Sequence, residues 1–165
     1  MATIEQYKSG EAAKAVRLAY EAMQNLDKPL VETGLKEIFE KHVRELVPLK
    51  VSDEMAFEYI KNADRCAVGE RLCKCEFPDA PSSCAVFLED LADAMVEVGK
   101  AIYTSKKEAM EALTKHKGKP LMVSKISGKY LEICRTWPKK CFYWNMEKHG
   151  MKCIQRHSKP EKENI

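Results

Sequence analysis

Apolar side chains recur at helical spacing over residues 9–26, where Ala12, Val16, Ala19, Met23 and Leu26 follow Ser9, a residue able to cap the first turn. Asp27 and Pro29 offer a second start, and Leu35, Ile38, Phe39, Val43 and Leu46 form the apolar face of a second helix. Gly34 weakens that helix by about 1 kcal/mol relative to alanine without defeating it. His42, beside the face, reads as a packed or half-exposed residue and not a ligand. Pro48 interrupts the pattern. Ser52 ahead of Asp53 and Glu54 then predicts a third, short helix with Phe57 and Ile60 on its inner edge.

The pattern changes after residue 63. Cys66–Gly69 and Leu72–Cys75 read as short strands or turns, and residues 77–83, rich in Pro and Ser, as loop. Cys84, Phe87, Leu88, Leu91, Met95 and Val98 fall on one stripe, predicting a helix over 84–98 that stops at Gly99. Lys100–Tyr103 fits a strand. Ser105 with Glu108 is a capping-box pattern for a helix to about residue 116. Leu121, Val123 and Ile126, then Ser127-Gly128, then Tyr130, Leu131 and Ile133 predict a hairpin that delivers Cys134 at its end.

These elements predict an α+β fold. A helical section spans residues 1–63, packing on the core or against a second copy in a homodimer. A small α/β domain with a short antiparallel sheet and a Cys-rich loop site spans 64–156. Residues 157–165, polar and aperiodic, read as a disordered basic tail.

A 165-residue chain with 45% hydrophobic residues can bury a core without staples. The net charge of +3 is unevenly placed. Residues 134–165 carry eight Lys or Arg against three Glu, leaving the rest slightly acidic. A basic end of this kind suits an anionic partner, such as an acidic protein or a nucleic acid. No apolar run approaches the roughly 20 residues needed to span a membrane. The first residues lack the apolar core of a secretion signal, so the expectation is a cytoplasmic protein in which thiols stay reduced.

That expectation changes the weight of the cysteines. All seven lie in two runs, Cys66, Cys73, Cys75 and Cys84, then Cys134, Cys141 and Cys153. The second run also holds Trp137, Phe142, Tyr143 and Trp144, aromatic residues that could shield a centre from water or stack on a base. The spacings C-x6-C-x-C-x8-C and C-x6-C-x11-C match neither the bacterial ferredoxin pattern nor a zinc ribbon, so ligands would be gathered from separate loops. Arg71, Lys74, Arg135, Lys139 and Lys140 could offset thiolate charge. The expected ligands of an iron–sulfur cluster, [4Fe–4S] in type, are Cys73, Cys134, Cys141 and Cys153, with Cys66 in reserve and Cys75 left open. Cys84 fits a core position. Zinc, with His149 joining Cys153, is the alternative cofactor.

The chain has no G-x-S-x-G, H-E-x-x-H, P-loop or G-x-G-x-x-G signature, so no catalytic constellation stands out. In general character it resembles small iron–sulfur or thiolate-metal proteins of anaerobic microbes. The expected function is electron transfer or redox sensing with a protein partner. The alternative is a non-enzymatic module, held by zinc or disulfides, whose basic aromatic C-terminal segment binds nucleic acid or an acidic protein.

Overall fold

The computed structural model describes residues 2–24, 47–73 and 85–156. The second expected helix, the loop at 77–83, Cys75, Cys84 and residues 157–165 lie outside these. Among the described residues, six helices and seven strands alternate: α1 (Ile4–Ser9), α2 (Glu11–Gln24), β1 (Leu49–Val51), α3 (Asp53–Asn62), β2 (Cys66–Gly69), β3 (Ala85–Leu88), α4 (Glu89–Glu97), β4 (Ala101–Thr104), α5 (Lys106–Thr114), β5 (Leu121–Ile126), β6 (Lys129–Arg135), α6 (Phe142–Lys148) and β7 (Gln155–Arg156). The architecture is α+β.

The sheet is larger than expected. Its strands run β4-β2-β3-β6-β5-β1-β7, antiparallel throughout except for the parallel β1–β7 pair. Residues 1–63, read as helical from their periodicity, supply β1 to it. Residues 85–88 are strand and not the first turn of a helix. All four are buried in the middle of the sheet, and a strand covered on both faces shows a continuous apolar run that periodicity cannot separate from a helix.

Other local signals behave as their chemistry dictates. Ser52 accepts a hydrogen bond from Met55 N at the start of α3. Ser105 and Glu108 complete a reciprocal capping box on α5. The helix expected over 9–26 is present as α2, and ahead of it Gly10, with a φ of 84°, ends α1, a short helix that the apolar stripe did not include. Ser127 and Gly128 both take positive φ, which is the twist a two-residue hairpin between β5 and β6 requires. That turn also anchors the start of the chain: Ser127 N donates to Ala2 O at 2.8 Å and Ile4 N to Ser127 Oγ at 3.1 Å.

Cross-strand partners share a face of a sheet, so the register assigns the two layers. Tyr103, Ala67, Phe87, Glu132 and Ser124 form one such row. Tyr103 donates to Asp93 of α4 at 2.6 Å, and Tyr7 of α1 donates to Glu132 at 2.5 Å, so α1 and α4 cover this face. Arg135, three residues on from Glu132, points the other way, to α3 and α5. Its guanidinium donates to both carboxylate oxygens of Asp53 at 3.1 Å, twice to Leu113 O at 2.9 and 2.7 Å, and to Lys119 O at 2.7 Å. A second, smaller core joins α2 to α6 through Tyr20, Met23, Phe142, Met146 and Met151.

Arg135 is 1% exposed, and every donor direction it uses is filled from α3, α5 or the segment before β5. Replacing it by leucine would strand the Asp53 carboxylate and two backbone carbonyls. The expected loss is about 3–5 kcal/mol of unfolding free energy, measured by denaturant titration. A loss under about 1 kcal/mol would show that the network contributes little.

A candidate thiol-lined cavity

A cavity of about 530 Å³ lies on the Glu132 face of the sheet. Its floor is β5 and β6, which present Ser124, Glu132 and Cys134. Its far wall is α2, contributing Ala12, Ala15, Val16 and Ala19, with Tyr7 of α1 beside them. Arg71, Leu72 and Cys73 close one side, and Cys141, Phe142 and Tyr143 close another. Alternation along β6 explains the floor: Glu132 and Cys134 are two apart, so both face the cavity while Leu131, Ile133 and Arg135 face away.

The two cysteine runs therefore meet. Cys73 from the first and Cys134 and Cys141 from the second line the same space. Cys66 is elsewhere: it pairs with Leu88 and Thr104 on the opposite face of the sheet, in the main core, with its thiol directed at Thr104 O. Cys153 sits behind Tyr143, its Sγ 3.5 Å from Tyr143 O, and does not line the cavity. His149 ends α6. Among the described residues no set of three or more His, Cys, Asp or Glu side chains is gathered closely enough to hold a metal ion.

Burial governs the electrostatics. Cys73 is pushed up to about 12 by desolvation, which outweighs the pull of the neighbouring Arg71 charge. Cys134 and Cys141 are raised by the same cause. All three are thiols at neutral pH, which makes them poor nucleophiles and requires a metal to displace their protons. Desolvation also raises the Glu132 carboxyl, against the opposing hydrogen bond from Tyr7. The Tyr7 and Tyr143 phenols are pushed well above their usual range. Tyr143 Oη is 3.1 Å from Ser124 Oγ.

Arg71 stands apart. It is 4% exposed, its guanidinium carbon lies 4.8 Å from the centre of the Trp137 ring, and Nη1 donates to Arg135 O at 3.0 Å. Nε and Nη2 are buried and have no hydrogen-bond partner among the described residues. The other aromatic residues of this segment are also engaged within the chain. Trp144 Nε1 donates to Thr136 Oγ1 at 2.9 Å with Arg156 against its ring, and His116 meets Trp137 edge-on.

Sequence reasoning found the thiols and named Arg71 as a nearby cation, but missed Tyr7, Glu132, Ser124 and the whole of α2 as cavity walls. Glu132 did carry a signal: an acid between Leu131 and Ile133 in a buried strand needs a partner. Tyr7 carried none, because its role follows from the tether between the chain start and the hairpin turn. No protein-family model matches the chain, and no curated protein or solved structure is detectably similar to it.

Glu132 generates a pH prediction. Its folded-state pKa is raised, so the folded protein keeps a proton that the unfolded chain surrenders at about 4.3. This stabilisation is complete below that value and is lost as pH rises through the folded value. Glu132→Gln, which preserves an acceptor for Tyr7, is expected to remove the decline and so gain on the wild type as pH rises from 4 toward 8 (about four units above the reference). Parallel stability–pH curves from denaturant unfolding would refute the assignment.

Proposed function

We propose that the protein binds a small, largely apolar molecule in the cavity between the sheet, α2 and α6. The observation that carries this reading is the lining. Alanines and Val16 of α2, Leu72 and Phe142 supply apolar wall, while the polar groups are Ser124, Glu132 and Tyr143 about the floor, Arg71 at one side, and Gln6, Tyr7 and Glu11 where α1 meets α2. Binding sites for small molecules combine these features, in volumes of about 300–1,000 Å³. The thiols add to the apolar character, since a protonated cysteine behaves as a small hydrophobe.

A second reading keeps the iron–sulfur centre, in electron transfer or redox sensing, with zinc as the alternative metal. It is supported by the convergence of Cys73, Cys134 and Cys141 from the two runs on one cavity beside Arg71. A [4Fe–4S] cluster takes about four thiolates, so this reading needs a further ligand and the loss of three thiol protons.

Two measurements separate these readings. The neutral fluorescent probe N-phenyl-1-naphthylamine is expected to bind saturably, one per chain. Ala15→Trp, at an exposed position on the cavity rim, should weaken it by about tenfold. Metal and sulfide analysis after anoxic purification is expected to find no stoichiometric iron. Stoichiometric iron and sulfide with broad absorbance near 400 nm (a cluster signature, roughly in the region expected for thiolate-bound iron), together with no saturable probe binding, would transfer the conclusion to the second reading.

A further inference from the structure

A guanidinium is charged at every accessible pH, and burying one without a counter-charge is costly. Arg71 is buried with no counter-charge against it among the described residues. Its partners among the described residues are the Arg135 carbonyl at Nη1 and the Trp137 ring, whose centre lies 4.8 Å from the guanidinium carbon, and neither is an anion. The cavity thiols are protonated, and Glu132 is engaged with Tyr7. The two unpartnered nitrogens, Nε and Nη2, lie on one edge of the guanidinium and project parallel N–H groups. That edge matches the two oxygens of a carboxylate. Contact with Trp137 and the hydrogen bond to Arg135 O hold the guanidinium at the cavity wall, which limits the ordering that binding would cost.

The surroundings narrow the anion. Arg71 is the one cationic side chain among the described residues that line the cavity. A single positive charge balances a monoanion, whereas a phosphate dianion would leave a second charge uncompensated among thiols and aliphatic groups. We propose that the cavity recognises its ligand through a carboxylate seated on the Nε/Nη2 edge of Arg71, with the apolar body of the ligand lying against α2 and Phe142. The proposal rests on the small-molecule reading above and names the ligand class for it.

The test displaces the neutral probe from the full chain with four compounds sharing one alkyl body: octanoate, octanol, octylammonium and octyl phosphate. Octanoate is expected to bind about tenfold or more tighter than octanol, with octylammonium the weakest. Arg71→Met should erase the preference for octanoate over octanol, and Arg71→Lys, which keeps the charge but not the fork, should restore only part of it. The wild-type ranking decides the matter even where a variant fails to fold. Octanol equal to or tighter than octanoate overturns the carboxylate assignment, as does octyl phosphate bound more tightly than octanoate, or probe binding that none of the four displaces. Failure of the probe itself to bind is a different result: it removes the small-molecule reading, and this proposal with it.

Discussion

The contact on which the rest of the molecule depends is the ion pair of the buried Arg135 guanidinium with the half-buried Asp53 carboxylate. One guanidinium joins β6, α3, α5 and the segment leading into β5, and so fixes how two helices sit on the back of the sheet. A single exposed pair would contribute little, but this one is desolvated on the arginine side, forked and reinforced by backbone carbonyls. Its influence crosses the sheet. The carbonyl of the same residue holds Nη1 of Arg71, so the residue that organises one layer also orients the charged group of the cavity in the other. Fold and candidate site are mechanically continuous at Arg135.

The cavity is a product of layer construction. A sheet this broad needs cover on both faces, and the Glu132 face is covered unevenly. α4 and α1 pack over one end, while α2 and α6 meet through their own small core of Tyr20, Met23, Phe142, Met146 and Met151. Between these, alanines on α2 keep that helix thin, and the space they leave is lined by whatever β5 and β6 present. Three methionines and three thiols surround the region, side chains that adapt to irregular shapes better than branched aliphatics.

Much of the fold was legible where one residue type has one physical role. Ser52, Ser105 with Glu108, and Ser127-Gly128 each marked an element boundary that backbone chemistry enforces. The periodicity misled where burial is two-sided, as at Ala85–Leu88, and it passed over α1, whose six residues are too few to show a stripe. α6 went unseen because its inward residues, Phe142 and Met146, are only one turn apart in a run dominated by cysteine, proline and tryptophan. For the candidate site, clustering pointed to the thiols that meet, but it could not say which side of the sheet each would occupy. That depends on strand parity and register, which pairing sets.

The placement of Cys66 has a practical corollary. It shares the first cysteine run with Cys73, yet the sheet separates it from Cys134 and Cys141, and β3 lies between its strand and β6. Sulfur atoms on opposite faces of an intact sheet cannot approach to bonding distance without backbone rearrangement. A cross-link within one chain between Cys66 and either of those thiols is therefore a mark of material that is not natively folded, and peptide mapping of that one bond would grade a preparation.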